Sequence, residues 1–164
     1  TSSILAIIDT YKQAKRENIM YAIQAGKKFL EASTWGVIDP RVQGYSLIAK
    51  PCNTFGSKPD AERVLAMVNE YLDNLIAGYE LRVAKETERK QKADDRVAAY
   101  KAQLDECMDK PYREVRDIVS DVERDIARAQ DAQRYYNEDC KATKAILRKH
   151  KATKNLLLTV VEIG

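Results

Sequence analysis

The stretch Leu72-Asp73-Asn74-Leu75-Ile76-Ala77-Gly78-Tyr79-Glu80-Leu81-Arg82-Val83 opens a pattern that runs on to Cys107. Leu72, Ile76, Tyr79 and Val83 begin a stripe that continues through Glu86, Lys90, Ala93, Val97, Tyr100, Leu104 and Cys107. The steps alternate between four and three, which keeps these side chains on one face of a helix in the manner of a coiled coil. The stripe turns polar in its middle, at Glu86 and Lys90. A second stripe follows Pro111: Val115, Val119, Val122, Ile126, Ala129, Gln133, Tyr136, Cys140, Thr143 and Leu147. It has the same steps and also turns polar midway.

Two matched stripes joined by Asp109-Lys110-Pro111 predict an antiparallel helical hairpin. A reversal centred near Lys110 sets Glu86 and Lys90 opposite Gln133, Arg134 and Gln130. It also brings Tyr79 near Cys140 and Val97 near Val122, so one polar gap meets the other. The rival arrangement is a single helix bent at Pro111, since proline can kink a helix without reversing it.

Working outward, Ser57-Lys58-Pro59-Asp60 supplies a capping serine, a proline in the first turn and an acidic residue three positions on. No further Pro occurs before Met108, so a long helix is expected over 60–108, about 73 Å at ~1.5 Å per residue. A second long helix is expected over 111–155. Upstream, the apolar set Ile4, Ile8, Tyr11, Ile19, Ala22, Ile23, Phe29 and Leu30 fits helical spacing, giving an expected N-terminal helix over 4–32 with a kink near Gly26.

Residues 33–59 hold three of the four Pro and three of the six Gly, a density of breakers that excludes an ordinary helix. The same segment carries Trp35, Tyr45, Leu47, Ile48 and Phe55, too much apolar surface for a solvated linker. An ordered irregular loop with a short extended piece at 45–49 is expected. The tail 156–164 is apolar, a strand or a buried helical end, and needs cover because left exposed it would aggregate. The fold class expected is therefore all-α: a coiled-coil-like hairpin plus an N-terminal helix and an ordered loop, in a single domain spanning 1–164.

Composition narrows the functional classes. The 164 residues are 45% hydrophobic and 32% charged, with a net charge of +3. This is too apolar for a disordered chain and too poor in Cys for a disulfide scaffold. No uncharged run is long enough for a membrane span. The apolar patch Ile4 to Ile8 lacks a basic start, so no secretory signal is expected. Cys52, Cys107 and Cys140 show no C-x-x-C spacing, which points to reduced thiols in a cytoplasmic-type compartment rather than a zinc site.

No phosphate-loop, dinucleotide, zinc-protease, hydrolase-elbow or calcium-loop motif occurs. His150 is the one imidazole and has no positioned partner in sequence. The many carboxylates lack the Glu-x-x-His repeats of a di-metal bundle. No catalytic residue, metal or cofactor is therefore expected.

Charge is unevenly spread. Residues 1–59 carry a net +4, 60–108 a net −3, 109–140 a net −3 and 141–164 a net +5. In the last block Lys141, Lys144, Arg148 and Lys151 step by three, four and three along one helical stripe, widened by Lys149 and Lys154. Such a stripe is a solvated helix end, a docking face for an acidic partner, or a phosphate-neutralising surface for nucleic acid. An anionic membrane surface is a further use of a basic helix face.

The first functional expectation is a non-enzymatic structural subunit that self-associates into a larger assembly. Trp35, Phe55, Leu157, Leu158 and Val161 would supply contact area between copies, with the basic ends meeting acidic hairpins. By fold-level analogy alone, virion and scaffold components are built this way. The alternative is a nucleic-acid-binding or packaging protein that uses the basic stripe. A third reading makes 33–59 a pocket over the helices, with Cys52 as nucleophile.

Overall fold

Gly26 has φ of 63° and sits between Ala25 and Lys28, which pair across an antiparallel ladder. Gly26-Lys27 is thus a two-residue hairpin turn, with glycine at the first central position, where only a residue free of Cβ strain enters left-handed space easily. The computed structural model, which describes residues 19–34 and 41–164, therefore has a strand pair where a kinked helix was expected. Strand β1 is Met20–Ala25 and β2 is Lys28–Thr34. The part of the expected 4–32 helix before residue 19 lies outside the described residues.

The expected loop yields a third strand, β3, Val42–Ile48. The long helices follow: α1, Lys58–Met108, and α2, Tyr112–Lys154. The apolar tail becomes β4, Thr159–Ile163. All four strands join one antiparallel sheet in the order β3-β2-β1-β4. The fold is α+β, and the all-α expectation is corrected accordingly. The physical reason is that Ile23 and Leu30, seven residues apart, share a helix face as readily as they pair across a two-residue hairpin turn. The partner strand that decides between them lies at the far end of the chain.

The chain divides into two compact units. The first comprises the described residues up to Leu75 with His150–Gly164. Cross-strand pairing aligns Val160, Ile23, Leu30 and Leu47 in a row across all four strands. Against that face pack Val68 and Leu72 of α1, both fully buried, to form a core with Ile23, Ala25 and Leu30. Polar contacts fasten the margins. The Tyr45 hydroxyl lies 2.7 Å from His150 Nδ1, and Tyr71 Oη donates to the Gln43 carbonyl at 3.0 Å. Lys154 Nζ reaches Asn69 Oδ1 at 3.2 Å and Asp73 Oδ1 at 3.1 Å.

The β1–β2 ladder is short. Beyond Ile23 the strands splay, and Tyr21 exchanges both backbone hydrogen bonds with Phe55 instead, at 2.9 and 2.8 Å. Asn53 Nδ2 donates to the Ala32 carbonyl from the same segment. Downstream, the Ser57 hydroxyl accepts the Asp60 N–H at 3.3 Å, the capping contact expected from sequence.

The second unit, Ile76–Lys149, is the helical hairpin. Its seam residues are the ones the two stripes specify: Glu86, Ala93, Val97, Cys107, Val115, Val122, Ala129, Cys140 and Thr143 are buried. The register differs from a reversal centred on Lys110. Thr87 meets Cys140 and Asp94 meets Gln133, each seven residues further along α2 than that centre implies. Side chains lean toward the N-terminus of their own helix, so touching residues in an antiparallel pair each lie beyond the level position. A slip of one heptad keeps every seam residue in the seam while changing every partner.

Candidate functional site

The hairpin carries its most unusual chemistry at Glu86, which is 3% exposed among small seam neighbours. Arg82, one turn earlier on α1, donates Nε to Glu86 Oε1 at 2.8 Å. Thr143 of α2 donates its hydroxyl to the Asp139 carbonyl at 3.0 Å and lies against the Glu86 carboxyl. Burial alone pushes the Glu86 pKa up. The Thr143 hydroxyl, the Arg82 guanidinium and Asp139 together outweigh it and hold the carboxyl below the usual range. The same contact raises Arg82. One atom remains unsatisfied: Glu86 Oε2 is buried with no hydrogen-bond partner, a costly state for a carboxylate oxygen.

Glu86 lines a cavity of about 440 Å³ with Arg82, Lys85, Arg89, Tyr135 and Asp139. A second cavity, about 170 Å³, lies further along the same unit between Arg89, Lys92, Arg96, Ala129 and Tyr136. In the first unit, the splay of β1 from β2 leaves a cavity of about 380 Å³. Ile23, Leu30, Phe55 and Val64 line it on the apolar side, and Thr34, Cys52, Asn53 and Thr54 on the polar side. Cys52 is exposed and its thiol makes only a long contact, 3.9 Å, to the Lys50 carbonyl.

The residues singled out from sequence are not gathered in one place. Lys141, Lys144, Arg148, Lys149 and Lys151 are exposed on α2, whereas Lys154 is half-buried and engaged with Asn69 and Asp73. Phe55 and Leu158 each pack, half-buried, against the core of their own unit. Val161 is half-buried on β4, paired with Ala22. Leu157 is 81% exposed, and Trp35 lies outside the described residues. The pocket reading of 33–59 finds its Cys52 on a cavity rim, and His150 is spent on Tyr45.

Glu86 and Lys90 stand four residues apart, the spacing of an ion pair along one helix face. The structure gives Glu86 Arg82 instead, so its signal, an acid at a seam position, was visible but its partner was not. Also missed were the apolar side chains outside the seam: Leu81, Met108, Tyr112, Ile118, Tyr135 and Ile146 are each between 40% and 76% exposed. Among the described residues no group of three or more His, Cys, Asp or Glu is placed to hold a metal. No helix among them is long and apolar enough to cross a membrane. No family model matches the chain, and no curated protein or solved structure matches it.

Proposed function

We propose that this chain is a non-enzymatic interaction protein, a helical subunit that self-associates through its hairpin. The observation that carries the reading is the set of large apolar side chains on the hairpin's outer faces, Leu81 and Tyr135 above all, at 59% and 65% exposure. A two-helix seam filled by Ala93, Val97, Val122 and Ala129 leaves those side chains in water, and apolar groups of that size favour a partner surface. The one imidazole of the chain is bonded to a tyrosine in the packing of the sheet, which suits a structural role. Buried free thiols at Cys107 and Cys140 suit a reducing compartment.

Light scattering of the full chain at low and high salt tests this. An oligomer is expected, weakened in the double variant Leu81→Ser/Tyr135→Ser without loss of helical content. A strict monomer at both salt concentrations rejects the proposal.

One observation favours nucleic acid as a second reading. Among the described residues, Lys141, Lys144 and Arg148 have no carboxylate within salt-bridge distance, so three helical cations stand ready for phosphates. A binding titration against salt discriminates: affinity should fall steeply with salt if phosphates are neutralised, and a flat response eliminates the reading.

A further inference from the structure

The smaller groove of the hairpin sets cations of one helix beside an aromatic ring of the other. Arg89, Lys92 and Arg96 step by three and four along α1 and line a cavity of about 170 Å³. Ala129, Ala132 and the half-buried Tyr136 line it from α2, and Ala93 completes the lining. Although 60–108 carries a net −3, no carboxylate among the described residues lines this cavity. Neither arginine has an ion-pair partner among those residues. Lys92 has only an exposed pair with Glu88 at 3.1 Å, a contact of the kind that contributes little.

Two dimensions narrow the ligand. Arginines seven residues apart stand about 10 Å from each other along the helix axis, a span that suits successive anionic groups on a chain better than one small ion. The space between them is close to that which encloses a benzene ring, about 150 Å³. It has room for one six-membered ring laid against the tyrosine, not for a fused pair. Nucleobases stack on aromatic side chains, and the guanidinium fork matches phosphate oxygens. An acidic peptide would supply the charge but leave the ring space to methylene groups.

We propose that this groove is a subsite for a single-stranded polynucleotide, with a pyrimidine stacked on Tyr136 and the phosphates on either side of it held by Arg89 and Arg96. The site uses neither Leu81 nor Tyr135, so it does not rest on self-association. Its cations stand on α1, whereas the Lys141 stripe belongs to α2.

Anisotropy of a short fluorescein-labelled oligothymidylate, titrated with the full chain at several salt concentrations, provides the test. Saturable binding below about 100 μM is expected at low salt. Affinity should fall with salt on logarithmic axes with a slope of about −0.7 per phosphate held, and Arg89→Ala/Arg96→Ala should make that slope shallower by about 1.4. Tyr136→Leu keeps an apolar side chain in the groove but no ring. It should lose about tenfold in affinity with the slope unchanged, while Tyr136→Phe binds as the wild type does. Oligoadenylate of equal length should bind more weakly. No saturable binding, an unchanged slope in the arginine variant, equal loss in Tyr136→Phe and Tyr136→Leu, or equal affinity for oligoadenylate overturns the proposal. So does displacement by oligoglutamate of matched charge, which would make the groove a docking face for an acidic protein. A larger loss in Lys141→Ala/Lys144→Ala/Arg148→Ala than in the arginine variant also overturns it, moving the contact to α2. A chain that is monomeric by light scattering yet binds oligothymidylate in this manner rejects self-association and keeps this site.

Discussion

The Thr87 hydroxyl lies 3.7 Å from the Cys140 sulfur across the hairpin. That contact is specific to one register, because a slip of a heptad would place Glu80 or Asp94 beside the same thiol. Thr87→Cys should therefore form a disulfide with Cys140 under mild oxidation, seen as a shift in non-reducing gel mobility. Asp94→Cys should not. Closing a loop of this span stabilises the fold by up to about 4 kcal/mol where geometry is unstrained. Cross-linking of Asp94→Cys in preference to Thr87→Cys would refute the register.

Acid should weaken the hairpin through Glu86. Its folded pKa is lowered, so it binds a proton less readily folded than unfolded. The stability it contributes is complete above its unfolded pKa, about 4.3, and drains away as pH falls from there through the folded value. Urea midpoints measured at about pH 7 and pH 3 should drop further in the wild type than in Glu86→Gln, which does not titrate. At neutral pH Glu86→Leu should be neutral or stabilising, because a buried carboxylate gives way to packing while the Arg82 head stays solvated. Its cost should appear as register mixing, with Thr87→Cys cross-linking only in part.

Leu72 is fully buried between Ile23, Leu30 and Val68, and Leu81, nine residues on, is 59% exposed. Chemical denaturation should report a loss of about 2–5 kcal/mol for Leu72→Ala from lost transfer energy and a residual cavity. Leu81→Ala should change stability by no more than about 0.5 kcal/mol. Equal effects at the two sites would mean that the sheet does not rest on this turn of α1.

Leu157 occupies left-handed space at φ 52° just beyond the end of α2, with most of its side chain in water. A side chain bearing Cβ costs about 1–2 kcal/mol there, and glycine costs none in the folded state. After allowing for the greater freedom of an unfolded glycine, Leu157→Gly should stabilise by about 0.5–1 kcal/mol and raise Tm. A destabilisation would show that the Leu157 side chain has a partner surface.

The hairpin could be read from sequence because a seven-residue pattern names the faces of both helices by itself. The same periodicity hid the register, since a shift of seven leaves the pattern unchanged and only contacts such as Asp94 with Gln133 fix it. The sheet was hidden for a different reason. Ile23 and Leu30 are seven residues apart, which suits one helix face equally well, and Gly26 serves as a helix defect or a hairpin turn with equal ease. What makes β1 a strand is pairing with Val160 and Val161, which no local window contains. Glu86 stood out as a polar interruption, yet its missing donor became visible only when α2 was laid beside it.

Because β1 sits between β2 and β4, its two flanking strands are translated at very different times. The ribosome delivers β2 at once, then spends on the order of ten seconds on both helices before β4 emerges. Throughout that interval the β4 side of β1 has amides and carbonyls without their ladder partners. The hairpin, with only local partners, can be complete before the sheet closes. A nascent chain stalled after Lys154 should thus carry a finished coiled coil and an unfinished sheet, and it is at that stage that mispairing with a neighbouring polysome product is most dangerous.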